Sequence, residues 1–189
     1  MKDIYEIRIH GRGGQGAKTA AHILACSALE SKHFIQAFPE FGPERGGAPV
    51  KSFLRISKKP ITIHESIKEP DLVAVIDPTL LLNKELILEG LTQDKILIVN
   101  TNKSIEQVRF DLGFKGKIYT LDATKISLEC LGRNMPNMPI LGAIVKVSKL
   151  FSLKSLKQEF EKEFKNKIGK ENVTKNTDAM ERAFNEVDA

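Results

Sequence analysis

The chain opens with Ile4-Tyr5-Glu6-Ile7-Arg8-Ile9-His10, passes through Gly11-Arg12-Gly13-Gly14-Gln15-Gly16, and continues as Ala17-Lys18-Thr19-Ala20-Ala21. Ile7 and Ile9 are β-branched and favour a strand. Four glycines in six positions permit a turn closed to other residues. The alanine- and leucine-rich stretch up to Leu29 favours a helix. A strand that hands over to a helix through such a turn leaves backbone N–H groups at the helix N-terminus, where the dipole favours an anion. The junction therefore commits the chain to a layered fold in which a sheet edge meets helix ends.

The rest of the chain agrees. A second strand is expected over 33–38, ending at Pro39, followed by a glycine- and proline-rich loop. Val50 to Ile56 reads as a strand, and Ser57-Lys58-Lys59-Pro60 turns the chain so that Ile61-Thr62-Ile63 runs back as a hairpin. Leu72-Val73-Ala74-Val75-Ile76 is a continuous apolar run, as expected of a strand covered on both faces. Asp77 and Pro78 supply a cap and first residue for a helix. Further strands are expected over 95–100 and 117–121, with Asp122 capping a helix from Ala123 to Leu131. Pro139 opens another helix to about Phe151. Charged amphipathic helices are expected near 153–168 and 175–187, with Gly169 as the hinge between them. Alternating strands and helices imply an α/β, Rossmann-like layered domain with a mostly parallel, mixed sheet and a C-terminal helical tail. The expected organisation is a single domain over 1–189, with an α/β core over 1–152 and the charged tail over 153–189.

Composition limits the function. The chain has 189 residues, enough for one sizeable core. No apolar run approaches the roughly 20 residues of a membrane span. The N-terminus enters a strand directly, without a basic region and apolar stretch, so a cytoplasmic location is expected. Net charge is +5, and residues 1–64 hold ten Lys and Arg against five Asp and Glu, while the remainder sums to zero. The excess sits with the glycine turn, which fits either surface scatter or a face turned towards an anion. A chain with no tryptophan and two tyrosines lacks an aromatic platform for stacking bases, which weighs against a nucleic-acid partner.

Gly11-x-Gly13-x-x-Gly16 matches the dinucleotide fingerprint in a strand–turn–helix setting. The acid that would hold a ribose is poorly provided: Glu40 is near the right distance but follows Pro39 and opens the long loop. A Walker loop is excluded, because Lys18-Thr19 follows Ala17 where that motif needs glycine. Among the histidines, His10 stands at a strand end, His22 falls mid-helix, and His33 and His64 have no flanking acid to make a relay. Cys26 and Cys130 stand alone. They form neither a disulfide framework nor a metal cage, and are expected to be buried, inert thiols.

Two stretches together carry a more specific signal. His10-Gly11-Arg12-Gly13-Gly14-Gln15-Gly16 and Pro39-Glu40-Phe41-Gly42-Pro43-Glu44-Arg45-Gly46-Gly47 resemble the gamma subunit of the 2-oxoacid:ferredoxin oxidoreductases. The resemblance extends through Glu69-Pro70-Asp71-Leu72-Val73-Ala74-Val75, through Pro136-Asn137-Met138-Pro139-Ile140-Leu141-Gly142-Ala143, and into the charged tail. It implies a multi-subunit enzyme that oxidatively decarboxylates a 2-oxoacid on thiamine diphosphate and Mg2+. Electrons would pass through [4Fe-4S] clusters to ferredoxin or flavodoxin, and the acyl group would go to coenzyme A. The implied partners are alpha, beta and delta subunits. Thiamine diphosphate and the clusters are implied to belong to those chains, since two isolated cysteines cannot supply the four thiolates of a cluster. No catalytic residue and no metal ligand is expected here. The expected contribution is assembly and enclosure of coenzyme A, with pyruvate the first substrate and branched-chain 2-oxoacids, 2-oxoglutarate or indolepyruvate as alternatives. A free-standing NAD-dependent dehydrogenase is the other reading. The candidate contact residues are Gly11, Arg12, Gly13, Gly14, Gln15, Gly16, Glu40, Arg45, Gly46 and Gly47. Their backbone N–H groups and arginines suit phosphates, although the loops equally suit a pure subunit interface.

Overall fold

The computed structural model describes residues 3–29, 33–40 and 46–187. The six strands are β1 (Ile4–Arg12), β2 (Phe34–Glu40), β3 (Pro49–Ser57), β4 (Leu72–Val75), β5 (Ile96–Asn100) and β6 (Lys117–Leu121). The helices are α1 (Ala17–Leu29), α2 (Lys84–Leu88), α3 (Ile105–Leu112), α4 (Ala123–Leu131), α5 (Asn137–Ser148) and α6 (Leu153–Glu186), with a 3-10 turn over Pro78–Leu82. One sheet runs in the order β2-β3-β1-β4-β5-β6. The pairs β1–β4, β4–β5 and β5–β6 are parallel, and β3 is antiparallel to both β1 and β2. The expected mixed, mostly parallel sheet is present, with β3 as its reversed strand.

Alternation along the central strands divides the core in two. Ile7, Ile9, Leu72, Ala74 and Ile98 pack under α1, α5 and α6, while Val73, Val75, Leu97 and Val99 pack with Ile87, Val108 and Leu112 of α2 and α3 on the other face. Leu72 to Val75 are fully buried, as their apolar run requires. α6 completes the first layer: Leu156, Phe160, Val173 and Met180 are buried in the same cluster as the strands. Its lysines and glutamates pair along the outer side, as in Lys167 with Glu163 and Lys175 with Glu171. Gly169 has φ 78° and ψ 160°, so the helix breaks there. Residues 170–174, which lie between the two expected helices, belong to the second half of α6. No helix among the described residues is long and apolar enough to cross a membrane.

Two further local expectations are corrected. β2 does not stop at Pro39 but continues to Glu40; it is the edge strand, where a missing N–H does not break a ladder. Ile61-Thr62-Ile63 is not a strand, and the hairpin with β3 is absent. Both edges of β3 are already taken by β1 and β2, so no free edge remains for a third partner. Side chains secure this segment instead. The buried Arg55 donates from Nη2 to the Glu65 carbonyl at 2.8 Å, and Gln36 Nε2 donates to the Ile63 carbonyl at 2.9 Å. The same guanidinium donates from Nε to Glu6 Oε1 at 2.9 Å and from Nη1 to Gln36 Oε1 at 2.9 Å, and lies 5.5 Å from the centre of the Phe38 ring.

Replacing one member of a buried, hydrogen-bonded ion pair leaves the other uncompensated. Arg55→Met is therefore expected to cost about 3–5 kcal/mol in urea unfolding. Adding Glu6→Gln to it should restore part of that loss. Hydrogen exchange should show faster exchange of the amides of residues 61–65 in the single variant; unchanged exchange there would mean that Arg55 does not hold the segment.

Candidate functional site

The glycine turn lies between two chain segments that the sheet brings to it. β1 runs through Gly11 and Arg12, which pair with Val50 and Pro49 of β3, so these two residues are strand and not turn. At Gly13 the chain joins the approach to β3 through two backbone hydrogen bonds. Gly13 N donates to the Ala48 carbonyl at 2.9 Å, and Gly47 N donates to the Gly13 carbonyl at 3.1 Å. A Cβ at position 13 would stand 3.2 Å from Gly47 N and 3.3 Å from Gly46 Cα, so glycine here serves a close approach of two backbones. Gly11 to Gly16 and Gly46–Gly47 thus meet at the carboxyl end of β1, and Gly14, Gly46 and Gly47 are exposed. Glu40 points elsewhere: its Oε2 accepts from Ser66 Oγ at 3.0 Å. Arg45, with the rest of 41–45, lies outside the described residues.

On its other side the turn is braced by the segment after β4. Gln15 Oε1 accepts from Arg12 N at 2.7 Å, and its Nε2 donates to Asp77 Oδ2 at 2.5 Å. Asp77 Oδ1 in turn caps the 3-10 turn, accepting from Thr79 N at 2.8 Å and Thr79 Oγ1 at 2.6 Å. Arg12 spans the whole assembly. Its Nε and Nη2 donate to Thr79 Oγ1 at 3.1 and 2.9 Å, its Nη1 donates to the Gly47 carbonyl at 3.1 Å, and Nε lies 3.4 Å from Asp77 Oδ2. Burial alone would raise the Asp77 carboxyl, but the Thr79 hydroxyl, Gln15, the Thr79 N–H and Arg12 together outweigh it and hold the pKa below its usual value. Both ends of the Gln15 amide are thus engaged in bracing the turn. Asp77 is legible from sequence only as a helix cap, and Thr79 carries no signal at all, because their place beside the turn follows from β4 lying next to β1.

This arrangement changes the expected anion site. The amides of Arg12, Gly13 and Gln15 already have acceptors within the chain, the last in the Arg12 carbonyl at 3.0 Å. The turn that remains is Gly14, Gly16 and the first turn of α1. Nor, among the described residues, does an acid stand where a dinucleotide needs its ribose acid. The strand beside β1 on that side is the antiparallel β3, and Glu40 ends β2, two strands away.

The histidines and cysteines build no reactive centre. His10 is buried, and its Nε2 accepts from Arg8 Nε at 2.9 Å. Burial, then the Arg8 and Lys51 charges, push its pKa down to about 3. His22 Nε2 is 3.1 Å from Glu163 Oε2 and 3.7 Å from Cys26 Sγ. A nucleophile–base–acid relay uses both ring nitrogens; here one nitrogen faces both groups. Burial, Glu163 and Glu159 push the Cys26 thiol up, away from thiolate. Both cysteines are half-buried and not fully buried as expected. They sit on separate helices, α1 and α4, and no group of three or more metal-ligating side chains occurs among the described residues. This donor set does not fit an iron–sulfur cluster.

Behind the turn lies a cavity of about 320 Å³. Gly14, Gln15, Gly16 and Thr19 form one wall, and Arg133, Asn134, Met135, Asn137 and Met138, before and at the start of α5, form the second. Phe160, Phe164 and Ile168 of α6 form its apolar floor.

The whole chain is similar to known proteins. Residues 6–186 match the family model "Pyruvate ferredoxin/flavodoxin oxidoreductase". The pyruvate synthase subunit PorC of Thermotoga maritima is 46% identical over 186 residues, covering 98% of this chain and 96% of that protein. The common gamma subunit of the pyruvate/ketoisovalerate oxidoreductases of Thermococcus kodakarensis is 49% identical over 181 residues, 95% of each chain. The crystal structure of the pyruvate oxidoreductase subunit PORC from Thermotoga maritima superposes with a TM-score of 0.88 at 45% identity, covering 99% of this chain and 98% of that one.

Two pH-dependent outcomes follow from the site. Because the Asp77 carboxyl is held below its usual 3.8, its contribution is complete above that value and is lost as pH falls through the lower native pKa. Asp77→Asn should cost about 1–3 kcal/mol at neutral pH. Urea midpoints of the two proteins should converge in acid; parallel curves would exclude the brace. His10 stays neutral in the native state while the unfolded chain takes up a proton below its usual 6.5. Native stability should then fall with decreasing pH by up to about 1.4 kcal/mol per unit, and His10→Gln should remove that slope. Unfolding midpoints measured from pH 7 to 5 decide this.

Proposed function

This chain belongs to the pyruvate ferredoxin/flavodoxin oxidoreductase family, and we propose that it is the gamma subunit of a pyruvate:ferredoxin oxidoreductase. In that reading the complex oxidatively decarboxylates pyruvate to acetyl-CoA and CO2, with reduction of ferredoxin. End-to-end similarity to a pyruvate synthase subunit carries it. The name of the Thermococcus kodakarensis relative assigns one gamma chain to both pyruvate and ketoisovalerate oxidoreductases, which supports a choice of 2-oxoacid made in other subunits.

Thiamine diphosphate, Mg2+ and the [4Fe-4S] clusters supply the carbon–carbon cleavage and the electron path, and they fall to the alpha, beta and delta chains. What this chain contributes is a shaped surface. The bonds between Gly13, Gly47 and Ala48 fuse two glycine segments into one ledge at the carboxyl edge of the sheet. Arg12, Gln15 and Asp77 hold that ledge from below. A ledge without side chains at Gly14, Gly46 and Gly47 lets another backbone or a phosphate approach closely. Coenzyme A carries three phosphates, and its partners here are the free edge of the turn, Lys18 on the exposed side of α1, and Arg45. Arg12 is a positioning residue, because its donors are directed at Thr79 and Gly47.

The test is kinetic. In the complex assembled with its partner subunits, Arg45→Ala should raise the KM for coenzyme A about tenfold, the loss of one charge-assisted contact, with kcat unchanged. An unchanged KM with intact assembly would assign both glycine segments to subunit packing alone.

A further inference from the structure

We propose that two copies of this chain pair through β2, antiparallel across a two-fold axis at Gln36, so that their sheets join into one. β2 is an edge strand: β3 takes one side of it, and no other described strand pairs with the opposite side. The backbone groups on that free edge follow from the ladder. The Glu6 carbonyl accepts from Asp71 N at 2.8 Å and the His10 carbonyl from Ile76 N at 2.8 Å, so the even-numbered residues of β1 face β4 and the odd-numbered ones face β3. The unbroken registers through Ile7↔Leu54 and Ala37↔Leu54 then turn the even-numbered residues of β3 to β1 and its odd-numbered residues to the even-numbered residues of β2. Ile35, Ala37 and Pro39 are left pointing outwards. Pro39 has no N–H, and the outward side is the one an edge proline occupies.

The free edge therefore carries a donor and an acceptor at Ile35 and at Ala37, and an acceptor alone at Pro39. With the axis at Gln36, Ile35 N–H donates to the second copy's Ala37 carbonyl and Ala37 N–H to the second copy's Ile35 carbonyl, and the symmetry repeats both bonds. An axis at Ala37 would leave the Ile35 carbonyl facing a proline nitrogen, so Pro39 selects the register. The side chains agree. Ile35 lies across from the second copy's Ala37, large against small, and Phe34 across from the second copy's Phe38. Phe34 shares a face with Gln36, whose amide holds the Ile63 carbonyl, and Phe34 and Ile63 are 48% and 40% exposed, apolar surface that a second copy covers. β2 holds no lysine or arginine, and its one carboxylate, Glu40, accepts from Ser66 Oγ, so no like charges meet near the axis. An edge with neither a lysine nor a bulge is one that folded proteins cover. The glycine ledge at the carboxyl end of β1 stays open, two strands away.

Sedimentation of the full chain at tens of micromolar should give twice the 21.1 kDa chain mass. Between dilute and concentrated protein, hydrogen exchange at the Ile35 and Ala37 amides should slow about tenfold or more, while the Gln36 and Phe38 amides, which face β3, change less. Ala37→Pro removes an outward N–H and spares the β3 ladder; it should weaken the dimer about tenfold or more, through one lost bond in each copy. Gln36→Cys sets two thiols across the axis, where the Cα atoms of such a pair lie about 4.5 Å apart, within disulfide reach. Mild oxidation should link that variant and leave the wild type, with Cys26 on α1 and Cys130 on α4, unlinked. A chain that is monomeric at every concentration would overturn the proposal, and slowing of the Ile35 and Ala37 amides only when partner subunits are added would give the edge to one of them. A dimer in which those amides exchange unslowed, which Ala37→Pro leaves intact, or which Gln36→Cys does not link would overturn it as well. The exchange measurement needs no substitution, so it decides even where a variant fails to fold.

Discussion

β1 is hydrogen-bonded along both edges, to β3 running against it and to β4 running with it. That pairing decides what surrounds the glycine turn. A parallel partner ends where β1 ends, so the residue after β4, Asp77, arrives beside the turn. An antiparallel partner begins where β1 ends, so the residues before β3, Gly47 and Ala48, arrive on the opposite side. The turn is thereby held from both flanks by chain segments more than 30 and 60 residues away in sequence, as the Gly13–Ala48 and Gln15–Asp77 bonds record. A turn free to collect phosphate through all its amides would need neither flank.

The same pairing explains why the dinucleotide reading fails although the motif is present. The fingerprint needs its acid at the carboxyl end of a parallel strand that follows the first helix and lies on the side of β1 away from β4. Reversing that neighbour removes the acid and puts a glycine segment in its place. Gly13 is thus required by the approach of one backbone to another, whereas Gly14, Gly16 and Gly47 are required by their positive φ. Arg12 shows how side chains follow the backbone. An arginine that composition would assign to an anion has donors on Thr79 and the Gly47 carbonyl, because both lie within reach only in this topology.

Buried charge serves the periphery of the sheet in a similar manner. Arg55 and Arg8 are nearly fully buried, and each ties a distant segment to a strand: Arg55 holds residue 65, and Arg8 holds the end of α2 by donating to the carbonyls of Ile87 at 3.1 Å and Glu89 at 2.6 Å. Desolvating a guanidinium is costly unless its donors are satisfied; Glu6, Gln36 and the Glu65 carbonyl meet those of Arg55, and His10 with the carbonyls of Ile87 and Glu89 meets those of Arg8. These contacts replace the hairpin expected at Ile61–Ile63, and they leave His10 as a neutral acceptor in the interior.

Local chemistry in the sequence was sufficient for the elements: the apolar run at Leu72, the capping residues Asp77 and Asp122, the break at Gly169, and the strand–turn–helix at the start. It was also sufficient for the resemblance, because Gly-x-Gly-Gly-Gln-Gly and Arg-Gly-Gly are short contiguous strings. Tertiary structure alone decided that β3 has no free edge, that Glu40 faces Ser66, that Gln15 reaches Asp77, and that Asn137 closes a cavity against Gly16. The physical reason is range. Propensity, capping and apolar periodicity act within a few residues, whereas strand order and side-chain partners depend on which distant segments share an edge, and the order β2-β3-β1-β4 is fixed by packing the whole chain at once.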